Sequence, residues 1–270
     1  LDPLGAVGTS LALALILVPL TLGRAENWPL WGWICMAAAV VVGALTLWWQ
    51  QTLTRRGGSP VIDMTLFRTP SFRAGLVAGV SFMLYFGSFM FTLTLLLQEG
   101  LGQDAFHAGL IFCPLGVLFS VGSLLSSRLT TAFGQLALVC ATALVGLGLS
   151  MLALKLFLAG QDTGAAWIML CVCLIGLGNG VLMPSLIGTA LMQVKPAQAG
   201  LANGVLQTAQ QFANAAGVAA VGGVFFSVLG TRTSGDGYAS AMAWAAVIDL
   251  GLILAVSLMV WKFKRIAESL

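Results

Sequence analysis

Residues 200–223, GLANGVLQTAQQFANAAGVAAVGG, form a long apolar segment that nevertheless carries Asn203, Gln207, Gln210, Gln211 and Asn214. At about 100° per helical residue these five amides fall within an arc of roughly 100°. The remaining positions are chiefly Ala, Gly, Val, Leu and Phe. In hydrocarbon an amide without a partner costs several kcal/mol, so the stripe is excluded from a lipid-facing surface. Two readings stay open from this stretch alone. Either the amides line a water-filled passage, or they hold packed helices together.

The rest of the composition sets the same scene. The chain has 270 residues, 59% hydrophobic and 8% charged, with a mean hydropathy of +0.99. Soluble domains carry about 25% charged residues, so this chain reads as an integral membrane protein. Its net charge of +3 is small. No basic cluster with interleaved aromatics marks a nucleic-acid partner. The five cysteines, Cys35, Cys113, Cys140, Cys171 and Cys173, all sit in apolar runs and read as small apolar fillers. With one histidine and no HExxH, G-x-S-x-G or phosphate-cradling glycine loop, neither catalysis, a metal nor a cofactor is expected. The first residue is Leu1 and no signal peptide precedes the first span, so we expect a piece of a longer protein.

A span needs about 20 predominantly apolar residues. Eight stretches qualify: Leu4–Gly23, Trp31–Trp49, Arg73–Gln98, Phe106–Arg128, Gln135–Ala159, Ala165–Met192, Leu201–Leu229 and Tyr238–Phe263. The expected fold is an all-α membrane bundle of about eight transmembrane helices. One set of connections holds nine basic residues (Arg55, Arg56, Arg68, Arg73, Arg128, Lys195, Lys262, Lys264 and Arg265), against Arg24, Arg232 and Lys155 on the other side. By the positive-inside rule the first set is cytoplasmic, and both ends of the chain with it. The polar connection around 51–72 divides the chain into two leading spans, 1–50, a cytoplasmic linker, and six spans over 73–270. Its second part, VIDMTLFRTPSF, reads as a short surface-lying segment with basic ends.

Four further features are candidates for function. Ser81, Tyr85, Ser88 and Thr92 share one narrow face of the third span, although hydroxyls also bond back to their own helix. The sixth span, LIGLGNGVLMPSLIGTALM, carries close-packing Gly176 and Gly180, a kinking Pro184, and Asn179 and Ser185 as possible cavity groups. Gly75/Gly79 and Gly200/Gly204 repeat the close-packing spacing. Asp249 is the only acid deep in a span, which makes it a candidate proton carrier; the plainer alternative is a hydrogen-bonded structural Asp. His107 lies at the outer interface and reads as a solvated boundary residue.

Three segments carry a resemblance. TLTLLLQEGLGQDAFHAGLIFCPLGVLFSVGSLLSSRL (92–129), VKPAQAGLANGVLQTAQQFANAAGVAAVGGVFF (194–226) and PVIDMTLFRTPSF (60–72) resemble the fourteen-helix drug:proton antiporters of the major facilitator superfamily. The likeness implies that the first two spans are the pair inserted between two halves, and that 73–270 is the C-terminal half, an inverted three-plus-three repeat. It places Ser81, Tyr85, Ser88, Thr92 and Asn179 on the substrate cavity and the amide stripe at or beside it. It also makes the last helix peripheral, which counts against Asp249 as proton carrier. Gly122 through Arg128 to Gly134 resembles a cytoplasmic motif that locks one conformation, without its aspartate and trailing basic residues; Arg128 is the candidate latch.

The implied function is proton-coupled efflux of amphipathic drug-like compounds across a bacterial inner membrane by alternating access. Its partners would be the lipid bilayer, a small-molecule substrate, protons, and an N-terminal half missing from this sequence. A porter for another solute, such as an amino acid, siderophore or antibiotic, is the alternative. A non-transporting membrane scaffold is the third reading.

Overall fold

The computed structural model describes residues 3–22, 29–55, 66–232 and 234–267. The described residues form eight long α-helices and no strand. These are α1 (Pro3–Leu22), α2 (Leu30–Arg55), α3 (Pro70–Leu95), α4 (Ala105–Phe133), α5 (Gln135–Ala159), α6 (Ala165–Leu191), α7 (Ala199–Leu229) and α8 (Gly235–Ala267). Each expected span coincides with one helix, while α2, α4 and α8 run a turn or so further at the basic end. Seven are long and apolar enough to cross a membrane. In α1 the apolar stretch, Val7–Pro19, is shorter than a spanning run of about 20 residues.

Local chemistry sets the helix ends. Asp104 opens α4 by accepting the His107 backbone N–H at 2.8 Å. A single residue, Gly134, joins α4 to α5 with φ +55°, a left-handed turn that glycine adopts without strain. Pro70 occupies the first turn of α3, where its missing N–H costs nothing. Of the surface segment expected in the second part of the linker, residues 61–65 lie outside the described residues. Its remaining part begins with a single tight turn, Leu66–Arg68. Leu66 and Phe72 are buried with Ala202 at the start of α7, so this end of the linker is anchored to the bundle.

The helices pack in a scheme with internal symmetry. α3 packs against α6, α7 and α8; α6 packs against α3, α4 and α5; and α5 packs against α8. Exchanging α3 with α6, α4 with α7 and α5 with α8 leaves these main contacts unchanged, the pattern of a three-plus-three repeat. α1 and α2 pair with each other, and α1 also touches α7.

Small residues set the closest approaches. A Cβ on Gly176 would stand 2.5 Å from the Leu115 carbonyl oxygen, and one on Gly122 would stand 2.5 Å from that of Leu177, so α4 and α6 touch backbone to backbone. Gly180 meets Phe119 of α4 in the same way, and Gly75 meets Ala190 of α6. Gly200 and Gly204 differ from the expectation: nothing packs within 4 Å of the position a Cβ would take. The rims of α2, α4 and α5 present exposed Val, Leu, Phe and Trp, as a bilayer-facing surface requires.

Candidate functional site

The hydroxyl stripe of α3 points inward rather than into a hollow. Tyr85, Ser88 and Thr92 are each 0% exposed, while Ser81, nearer the basic end, is partly exposed. Two neighbours divide the stripe between them. The Asn179 Nδ2 of α6, also 0% exposed, donates to the Tyr85 hydroxyl at 3.0 Å. On the other side, Ser88 Oγ lies 2.5 Å from Asp249 Oδ1 of α8. The same Ser88 Oγ lies 2.8 Å from the Tyr85 carbonyl, and Thr92 Oγ1 donates to the Ser88 carbonyl at 2.8 Å. Phe82 and Phe89 close the site above and below, with ring centroids 5.9 and 6.0 Å from that of Tyr85.

Asp249 comes to this place because α8 turns a small-residue face to α3. Ala241 and Ala245, eight and four residues before it, lie on that face and are fully buried. A helix peripheral to a cavity still has an inner side, and here it carries the acid. The carboxyl is 0% exposed, and Oδ2 has no hydrogen-bond partner among the described residues.

The amide stripe of α7 straddles two environments. Gln210 is buried, and its Nε2 would stand 2.7 Å from a Cβ on Gly79 of α3. The Asn214 Oδ1 lies 2.8 Å from the corresponding position on Gly87. These two amides fit where α3 has no side chain. Asn203 and Gln207 are partly exposed and Gln211 is exposed. By helical phase their arc lies between the α7 face packed on α3 and the face that meets α1. One edge of the stripe packs on α3, while the other runs from partly exposed Asn203 and Gln207 to exposed Gln211.

Asn179 and Ser185 do not face the same space. Six residues separate them, about 240° of helical rotation, and a proline kink does not close that angle. The Ser185 hydroxyl instead meets Ser126 of α4 at 2.9 Å and donates to the Val181 carbonyl at 2.7 Å. Ser126, Ser185, Thr130 and Trp261 line a hollow of about 960 Å³ at the basic end. A cleft of about 760 Å³ lies between α1 and α7, lined by Ser10, Gly200, Gly204 and Thr208. Arg128 is exposed on α4. His107 is exposed and sits 2.7 Å from Asp104 through Nδ1. The His107 backbone N–H, then its ring, hold the Asp104 carboxyl below the usual carboxylate range. This cap was missed in the sequence, although an Asp directly before an apolar run is its ordinary signal. No group of three His, Cys, Asp or Glu side chains suited to a metal occurs among the described residues.

The described residues thus form a helical membrane bundle whose main contacts repeat three plus three, with polar groups carried inward on α3, α6, α7 and α8. The chain belongs to the Major Facilitator Superfamily, whose family profile matches residues 4–218. It is 34% identical over 238 residues to a probable actinorhodin transporter of Streptomyces coelicolor, covering 86% of this chain and 40% of that protein. It is 31% identical over 194 residues to the lincomycin resistance protein LmrB of Listeria innocua, covering 70% and 40%. A third relative is the drug efflux pump JefA of Mycobacterium tuberculosis, at 26% over 219 residues, covering 80% and 42%. These names agree with the drug:proton antiporter branch that the sequence motifs resemble. The chain spans about 40% of the length of these relatives.

Proposed function

We propose that this chain is part of a proton-coupled exporter that carries amphipathic, drug-like compounds outward across a bacterial cytoplasmic membrane by alternating access. One observation carries the reading: the accessible edge of the α7 stripe, where Asn203 and Gln207 are partly exposed and Gln211 is exposed on a predominantly apolar helix. Neutral amides on a wall of Ala, Gly, Val and Phe suit a substrate that is mostly apolar with a few hydrogen-bonding groups. The names of the relatives, a drug efflux pump and an antibiotic resistance protein among them, support the same substrate class.

In this reading Asn203, Gln207 and Gln211, with Ser81, contact substrate. Gln210, Asn214, Tyr85, Ser88, Thr92 and Asn179 form the layer behind that wall. Further helices of the complete protein face it from across the cavity, and Arg128 at the basic end of α4 serves as the latch of one conformation. Both ends of the chain are cytoplasmic, as the distribution of Lys and Arg supports.

The test is ethidium efflux from energised cells carrying the full-length protein with Gln207→Ala and Gln211→Ala together. Slowed efflux at normal expression is expected. An unchanged rate would mean that the stripe only holds helices together. The name of the actinorhodin transporter favours a narrower second reading, export of a self-made antibiotic. A panel of labelled solutes offered to vesicles with an imposed pH gradient separates the two.

A further inference from the structure

The contact between α3 and α8 needs one hydrogen more than the Ser88 hydroxyl carries. Ser88 Oγ lies within hydrogen-bond distance of two acceptors, the Tyr85 carbonyl oxygen at 2.8 Å and Asp249 Oδ1 at 2.5 Å. A serine hydroxyl has a single hydrogen and donates once, but it also accepts. Both contacts are hydrogen bonds at the same time only if the carboxyl brings the second hydrogen. Asp249 Oδ1–H then donates to Ser88 Oγ, and Ser88 donates on to the Tyr85 carbonyl. Without that hydrogen, Ser88 turns its own proton to the carboxylate and the carbonyl loses this bond.

We infer that Asp249 and Ser88 form a proton-operated switch on α3, in which gain or loss of one proton at Asp249 reverses the direction of the Ser88 hydroxyl. The inference deepens the exporter reading and rests on it for its role in transport. The proton is exchanged with bulk water and nothing else is consumed. Its effect falls on α3: a serine bonded back to a carbonyl of the preceding turn bends a helix, and release of that bond straightens it. The carbonyl concerned belongs to Tyr85, whose side chain is the partner of Asn179 on α6. One proton on the α8 side therefore acts on the contact between the two central helices.

Among the described residues no competing charge sits against the carboxyl. On α3 the titrating groups are Arg73, which is exposed, and Tyr85 itself. On α5 they are Cys140, which is exposed, and Lys155, whose Nζ lies 6.0 Å over the Trp167 ring. α7 has none. Glu99 and Asp162, at the turns that touch the outer end of α8, are exposed, as is Asp236 of α8; Tyr238 packs on Phe225. Lys262, Lys264 and Arg265 of α8 lie thirteen or more residues beyond Asp249, at the basic end.

The first experiment needs no substrate. Infrared difference titration of the purified full-length protein in lipid should reveal a carboxylic acid C=O band that comes and goes with pH. The band should be lost in Asp249→Asn and displaced in Ser88→Ala, whose carboxyl remains but whose partner is gone. A titrating spectrum unchanged by Asp249→Asn overturns the switch. If that variant fails to fold, Ser88→Ala decides: a band at the wild-type position overturns it equally.

The second experiment measures ethidium movement in inside-out vesicles. Wild-type protein is expected to accumulate ethidium under an imposed pH gradient. Asp249→Asn should lose that accumulation while keeping ethidium exchange without a gradient, and Asp249→Glu should restore part of it. Gradient-driven uptake by Asp249→Asn with the wild-type pH profile overturns the switch and leaves the exporter reading standing. Wild-type vesicles that take up no ethidium overturn the exporter reading, and the infrared titration then decides the switch alone.

Discussion

Replacing Tyr85 by Phe removes one hydroxyl from the contact between α3 and α6. It leaves the Asn179 amide, 0% exposed, without the acceptor that lies 3.0 Å away. The Asn179 side chain has no other hydrogen-bond partner among the described residues. An unsatisfied buried donor costs about 1–3 kcal/mol. Coupling energies between helices in membrane bundles run lower, about 0.6 kcal/mol on average and up to about 1.7. A pair this deeply buried belongs in the upper half of that range, so a coupling of about 1 kcal/mol is expected. The assay is a double-mutant cycle of Tyr85→Phe and Asn179→Ala, by equilibrium unfolding of the full-length protein in mixed micelles. Each single change should destabilise, and the double variant should lose about 1 kcal/mol less than the sum. Additivity within about 0.3 kcal/mol would refute the claim that these groups form one buried unit.

The packing and the caps carry two further expected outcomes. Gly176→Ala should lower the thermal stability of the full-length protein by about 1–3 kcal/mol, because its methyl meets the Leu115 carbonyl of α4. Gly204→Ala, with open space around it, should be neutral or gain up to about 1 kcal/mol of helix propensity; equal losses at both sites would contradict the packing. The bonds that hold Asp104 below its ordinary range favour its ionised form. The cap is therefore fully present above the unfolded value of about 3.9 and is lost as pH falls through the lower folded value. Amide exchange at His107 should stay protected to below about pH 4 in wild type and be unprotected at every pH in Asp104→Ala. Equal protection in the two proteins would remove the cap from the account.

Much of the fold was legible because the bilayer imposes length and hydrophobicity on each span separately. The eight helices needed no knowledge of their neighbours. The close approach at Gly176 was also readable, since its four-residue spacing to Gly180 is local. Gly200 and Gly204 show the limit of that signal: the spacing permits close packing but does not supply the partner. The polar pairs were harder for the same reason. Tyr85 and Asn179 are 94 residues apart, and Ser88 and Asp249 are 161. Only the arrangement of helices brings each pair together. The family resemblance makes the helix of Asp249 peripheral. The sequence did contain a counter-signal, Ala241 and Ala245 on the face of the acid, which marks a side built for close contact. In the α7 stripe, phase alone grouped five amides, but glycines on another helix decided which of them packed.

The central claim is that one edge of α7 is wetted while the adjacent edge is sealed. It is tested by labelling single cysteines in the full-length protein, in membranes, with the five native cysteines replaced. A water-soluble thiol reagent should modify Gln207→Cys and Gln211→Cys and spare Ala213→Cys, whose native residue is 2% exposed. Absence of label at both amide positions, under conditions that modify an exposed loop site, would contradict the account.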